Sequence, residues 1–272
     1  MNSEPMMTAP DAHPGVSPRR SPLCLIRFQP DLEALARWAT ASGQQALRED
    51  MGYALHAALQ ATLGLQAPKP FAVVRRSGAV QLVGYIMVPP EDLERALSLA
   101  AATDPVAARA LGLIDSATPD VRPMPVDWRS GEVLSFETRV APVVRSRSMP
   151  GGGYPEIDAA FHPDYCGDSP GAREQAHARW LARELARGGA ATLLEQRVLA
   201  FSLAQIARRG RSVEHEGAKR RTRSGLLPDL TVRGQLRVDN GAAFDALLRR
   251  GLGRHRSFGF GCLLLAPAGA WR

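Results

Sequence analysis

Tyr53 and His56 stand three residues apart in this chain, and they are the pair best suited to moving a proton. Three and four residues are the spacings at which side chains share one face of a helix. Imidazole titrates near neutrality, so it can take a proton from a hydroxyl or give one to a leaving oxygen, and a phenol beside it can orient the same atoms. The stretch Gln44–Leu63 supplies the helix. Leu47, Met51, Leu55, Leu59 and Leu63 recur every four residues as an apolar stripe, Gly64 stands at the C-terminal cap position, and Glu49, Tyr53, His56 and Gln60 fall on the other face. Spacing alone equally allows two polar residues on a solvated face.

A second concentration closes the chain. Gly251, Gly253, Gly259 and Gly261 surround Arg254, His255, Arg256, Ser257 and Phe258, and an apolar strand follows at Cys262–Ala266. Glycine lets a ligand approach backbone N–H groups closely, and arginine offers fork-shaped, charge-assisted donors to phosphate oxygens. The loop precedes the last strand instead of following the first and opening a helix, which argues against the dinucleotide site of a small-molecule enzyme.

A third concentration is basic. Arg208, Arg209, Arg211, Lys219, Arg220, Arg221 and Arg223 crowd a segment with no apolar periodicity, interrupted by Glu214 and Glu216. Such density repels itself unless an anion neutralises it, and a duplex RNA backbone presents phosphates at matching intervals. The net charge of +7 and a pI near 10.0 point the same way, toward nucleic acid or a membrane surface. Of 34 basic residues only Lys69 and Lys219 are lysines, a bias that a GC-rich genome also produces.

Other chemistries lack support. Cys24, Cys166 and Cys262 are odd in number and form no CxxC pair, which fits a reducing cytoplasm and no disulfide framework. His162 and Cys166 are two loose ligands, too few for a tetrahedral metal site, and no cofactor is called for. Residues 1–22 are rich in proline and serine with no apolar core, and read as a disordered tail. No run approaches the 18 apolar residues of a spanning helix, so no membrane is expected.

The elements alternate in a recognisable order. Leu23–Phe28 reads as a strand, the helix through Leu63 follows, and Phe71–Arg76 with Ala79–Val88 make a hairpin across Ser77-Gly78. Glu91–Ala101 reads as a helix and Glu132–Val144 as the strand that ends the first half, giving βαββαβ. Gly151-Gly152-Gly153 marks a linker. Beyond it come a helix at Ala172–Arg187, a strand or short helix at Gln196–Ala207, a strand at Leu230–Val238 and a capped helix at Ala242–Arg250. The second half reads as a partial copy of the first.

With these residues placed, the chain resembles the RAMP-superfamily endoribonucleases that cut CRISPR repeat transcripts, most closely the CasE (Cse-type) branch. The likeness runs over nearly all of Leu23–Pro267. Four blocks carry it: Asp50-Met51-Gly52-Tyr53-Ala54-Leu55-His56, Phe136-Glu137-Thr138-Arg139-Val140-Ala141-Pro142-Val143, Trp180-Leu181-Ala182-Arg183, and the loop Gly251–Gly261. Ala57 stands where the branch often has a basic residue, and Ala141 where it usually has asparagine. A divergent member serving a type IV system fits as well as a type I-E one.

The resemblance implies an α+β fold of two ferredoxin-like domains in tandem, over 23–147 and 170–272, joined by a linker at 148–169. It implies metal-independent cleavage of a repeat stem-loop with His56 and Tyr53 in the catalytic positions, and an antiviral role as part of a CRISPR effector complex. The RNA's 2′-OH would attack the adjacent phosphate to leave a 2′,3′-cyclic phosphate. His56 would act as base or acid, Tyr53 would position the hydroxyl, and an arginine, from Arg27 or the basic segment, would stabilise the phosphorane. The rival expectation keeps the fold and drops the chemistry, leaving a repeat-binding subunit.

Overall fold

The computed structural model describes residues 21–43, 50–76, 78–114, 119–145, 156–166, 172–209 and 222–271, with side chains at all of these but 90, 207–209 and 222–224. The expected N-terminal tail and the glycine triplet of the linker lie outside the described residues.

The first unit runs β1 (Cys24–Phe28), α1 (Leu32–Ala41), α2 (Met51–Leu63), β2 (Phe71–Arg76), β3 (Ala79–Ile86), α3 (Pro90–Thr103), α4 (Pro105–Ala110) and β4 (Asp120–Pro123). Its sheet is antiparallel in the order β2-β3-β1-β4. Local chemistry sets the helix starts. The Asp50 carboxylate accepts from Tyr53 N at 3.0 Å, which caps α2 and fixes where its first turn begins, while Pro90 opens α3 with Glu91 and Asp92 behind it.

The second unit runs β5 (Val133–Val140), β6 (Val143–Arg145), β7 (Glu156–Asp158), α5 (Ala172–Ala186), β8 (Ala191–Arg209), β9 (Thr222–Val238), α6 (Gly241–Arg250) and β10 (Leu263–Pro267). Its main sheet has the order β10-β5-β9-β8. Taking β5, β8, β9 and β10 as first to fourth strands, this is the order of the first sheet, so the fold is two ferredoxin-like units in tandem. The strand expected to end the first unit therefore opens the second. Alternation marks Val133–Val140 as a strand but does not name its partners. Leu134, Phe136 and Val140 stand opposite Leu236, Gly234 and Leu230 of β9, and that match settles its sheet. The true fourth strand of the first unit, Asp120–Pro123, is short and polar and gives no pattern.

One open expectation is settled and another changes. Gln196–Ala207 is strand throughout, part of a long β8–β9 hairpin that pairs Ala191 with Val238 and Arg209 with Thr222. Part of the stretch read as linker is built structure, because β7 pairs with β6 and Ala159 behind it is fully buried.

Helices α1, α2, α3 and α4 cover one face of the first sheet, where Leu55, Leu59 and Leu111 meet Ile26, Phe28, Phe71 and Leu82. Full burial stabilises by about 1.5–3 kcal/mol for each such leucine, enough to hold α2 in register. Ala72, Val83 and Tyr85 join a larger core with Phe136, Trp180, Leu236, Phe244 and Leu263. Tyr85 donates its hydroxyl to Leu263 O at 2.7 Å across that core. Among the described residues no helix is long and apolar enough to cross a membrane.

Candidate active site

Asp50 starts α2 so that Leu55, Leu59 and Leu63 face the sheet, and the same pitch leaves Tyr53 and His56 half-buried at the rim of the helix. The rim is where the C-terminal loop arrives. Phe258 stacks on Tyr53 with ring centroids 5.8 Å apart and meets His56 edge-on at 5.2 Å. Helix and loop approach this closely because residue 52 is glycine: a Cβ there would lie 2.4 Å from the carbonyl oxygen of Phe258. Two segments about 200 positions apart in sequence thus form one surface.

The loop's shape is held from several sides. Leu252 N donates to Gly261 O at 2.8 Å and closes it, while Gly261 N donates to Arg139 O at 2.6 Å. Gly253, at φ 61°, rests on Trp180, whose ring would stand 2.7 Å from an added Cβ. Its N–H donates to Glu184 Oε2 at 3.0 Å. His255 is left-handed at φ 61°. Its Nε2–H donates to Glu156 Oε2 at 2.8 Å, and Arg254 Nε donates to Glu156 Oε1 at 2.6 Å, so one buried carboxylate fixes both residues. Arg256 donates to the carbonyl of Arg250. Arg139 grips Asp229 in a two-pronged pair at 2.8 and 2.7 Å and lays its guanidinium 4.2 Å from the centre of the Phe260 ring.

Beside this surface lies an open groove of about 580 Å³, lined among others by Lys69, Arg145, Arg187, Arg254 and Ser257. Its rim is rich in cations, as a polyanion would require. Burial pushes the His56 imidazole below its ordinary pKa of 6.5, and the Lys69 ammonium pushes it further the same way. His56 is therefore neutral at neutral pH and able to accept a proton.

Of the sequence-predicted residues, the structure brings together Tyr53, His56, Gly251, Gly253, Arg254, His255, Arg256, Ser257 and Phe258. It does not bring Arg27 to them. Cys24, Ile26 and Phe28 face the helices, so strand alternation turns Arg27 to the opposite face of the sheet, where it bonds Asp120 at 2.6 Å. Arg208, Arg209 and Arg223 lie on the far rungs of the β8–β9 hairpin, Arg208 opposite Arg223; Arg211, Lys219, Arg220 and Arg221 lie outside the described residues. Sequence reading missed Lys69, Glu156 and Glu184. The only signal for Lys69 is its being one of two lysines in a chain whose other basic residues are arginines.

The fold and this surface define a protein with two ferredoxin-like units whose glycine-rich loop meets a Tyr/His helix. Residues 24–267 match the model of the family described as CRISPR associated protein, and the chain belongs to that family. No curated protein matches it in sequence. Among solved structures it is similar to a CRISPR endoribonuclease Cse3 bound to a 19-nucleotide RNA, at 18% identity and a TM-score of 0.56 over 90% of this chain and 100% of that one. Thermus thermophilus Cse3 bound to an RNA representing a pre-cleavage complex gives 17%, 0.54, 90% and 100%. A chain of a CRISPR RNA-guided surveillance complex in a pre-nicking state gives 17%, 0.50, 90% and 99%. At these identities the likeness is one of fold.

Proposed function

We propose that this protein is an endoribonuclease that cuts the repeat stem-loop of CRISPR precursor transcripts. The observation that carries the reading is the seating of Phe258 against both Tyr53 and His56, which joins a proton-transfer pair to a cation-rimmed groove. In the proposed reaction the RNA's 2′-oxygen forms a bond to the adjacent phosphorus while the bond to the 5′-oxygen breaks. His56, neutral at pH 7, takes the 2′-OH proton, Tyr53 orients that hydroxyl, the leaving 5′-oxygen takes a proton from water, and the imidazolium returns its proton to the hydroxide so formed. The products are a 2′,3′-cyclic phosphate and a 5′-OH end, with no metal in the scheme.

The loop residues Arg254 and Arg256 would lie near the cut, and the basic segment Arg208–Arg223 would grip phosphates of the stem. RNA-bound Cse3 structures of the same fold support the substrate class, and the surveillance-complex chain supports delivery of the product to an effector complex.

Incubation with a cognate repeat hairpin tests this. A new 5′-OH end should appear in chelator as readily as without it, and a single 2′-deoxy nucleotide upstream of the scissile phosphate should block cutting while binding survives. Cleavage of the deoxy hairpin, or activity lost in EDTA and restored by magnesium, would overturn the mechanism. Tight binding with no cutting of the all-ribose hairpin would leave a binding subunit instead.

A further inference from the structure

In the reaction proposed above the leaving 5′-oxygen draws its proton from water, which is a poor acid. An in-line displacement has places for two proton-transfer groups, because the entering and leaving oxygens stand on opposite sides of the phosphorus. Arginine keeps its proton in proteins, so Arg254 and Arg256 cannot serve the leaving oxygen. His255, which stands between them in the chain, can. Its side chain is 5% exposed, and it is among the residues that line the groove with Ser257 and Phe258. It also shares a ring with His56: the centre of the Phe258 ring lies 5.2 Å from the His56 imidazole and 6.3 Å from that of His255.

The backbone under this residue is strained. Among the described residues every other positive φ belongs to a glycine, whereas His255 holds φ 61° with a full side chain. Such a conformation costs about 1–3 kcal/mol and persists where the surroundings over-determine it, most often at active sites. In a loop that already carries glycine at 251, 253, 259 and 261, a further glycine at 255 would relieve the strain. The side chain kept there is held by a buried carboxylate. His255 Nε2–H donates to Glu156 Oε2 at 2.8 Å, and Arg254 Nε donates to the other oxygen at 2.6 Å. A carboxylate on one imidazole nitrogen fixes the orientation of the ring and leaves proton transfer to the other nitrogen, Nδ1.

We infer that His255 is a second catalytic residue, the acid that protonates the leaving 5′-oxygen, with Glu156 as its positioning residue. The inference rests on the endoribonuclease reading and puts His255 in the place of the water in that scheme. His56 takes the 2′-OH proton as the 2′-oxygen bonds to phosphorus. The bond from phosphorus to the 5′-oxygen breaks, and its electron pair takes the Nδ1 proton of the His255 imidazolium. One proton enters the protein and one leaves it, and exchange through solvent from His56 to His255 restores the starting forms. Phe258, in contact with both imidazoles, sets their separation.

Single-turnover cleavage by the full chain tests it on two hairpins, one all-oxygen and one with sulfur in place of the leaving 5′-oxygen. A thiolate is a weaker base than an alkoxide and departs without a proton. His255→Gly and His255→Asn are compared with wild type and His56→Ala; glycine suits the left-handed backbone, and asparagine tolerates it while offering Glu156 an N–H. Both His255 variants should cut the oxygen hairpin about 100-fold more slowly, as loss of a positioned proton-transfer group does, and the sulfur hairpin within a few-fold of wild type. Glu156→Gln should show the same selective loss in smaller measure. His56→Ala should be slow on both hairpins. Affinity of the His255 variants for the uncleavable 2′-deoxy hairpin should stay within a few-fold of wild type. Equal slowing of the His255 variants on the oxygen and sulfur hairpins would overturn the inference, as would a wild-type rate on the oxygen hairpin. A wild-type protein that binds both hairpins and cuts neither would instead remove the endoribonuclease reading, and the inference with it.

Discussion

His56 meets a ring of the other unit edge-on, that of Phe258, while burial and then the Lys69 ammonium hold its pKa below the ordinary value. His56→Ala should cut the single-turnover rate by roughly 100-fold with little change in hairpin affinity, and Tyr53→Phe should do less, since the ring contact with Phe258 survives while the hydroxyl is lost. The pH profile checks the sign. With His56 as base, the rate should rise with pH through a value below 6.5 and then level, and a rate that falls over that range would assign it the acid's role. Tyr53 and His56 were legible from residue type and spacing alone. Arg27 was legible in type but not in direction, although the alternation of Cys24, Ile26 and Phe28 already turns it from the helix face. Lys69 was legible only as a rare lysine and not as a neighbour of His56, because that proximity exists only in the folded chain.

At the scale of elements, the closing loop works as a preformed part and not as a tether. Gly253→Ala should destabilise the protein by roughly 1–3 kcal/mol in a denaturant titration, since it combines a left-handed backbone with a clash on Trp180. Gly78→Ala shares the positive φ, at 80°, but meets nothing within 4 Å, so it should cost less, and the difference between the two isolates the Trp180 contact. Equal costs would show that the ring yields freely. The capped helices, the tight hairpin and the long alternating strand were readable because their determinants are local: Asp50 with Tyr53 N, Gly78 at the turn, Asn240 with Ala243 N. Strand ownership was not, because pairing is decided by side chains far away in sequence. Leu134 and Phe136 suit either sheet until β9 presents Leu236 and Gly234 opposite them.

In the whole molecule Tyr53 and His56 lie on α2, whereas Arg208, Arg209 and Arg223 lie on the far rungs of the β8–β9 hairpin. Only β9 residues from Leu230 onward pair with β5, so the rungs from Thr222 to Asp229 pair with β8 alone, while Ile206 and Leu227 pack on Ala141, Val143 and Phe260. Replacing Lys219, Arg220, Arg221 and Arg223 with alanine should weaken hairpin binding and flatten its salt dependence by about one unit of log–log slope per lost phosphate contact. Identical slopes would remove the segment from the interface. Alanines at Arg254 and Arg256 should instead reduce the preference for the cognate hairpin over a scrambled stem, because a contact at a fixed position discriminates where stem phosphates do not. The connection 124–132 between β4 and β5 gives these parts a common origin. It hands His56 from one unit a Phe258 from the other, so the site is in effect a tethered encounter between two surfaces. A short tether holds such partners at an effective concentration in the millimolar range. Were the chain cut within 124–132, the shared core around Tyr85 and Leu263 would have to hold the halves together, and the rate would depend on fragment concentration only below the dissociation constant set by that core.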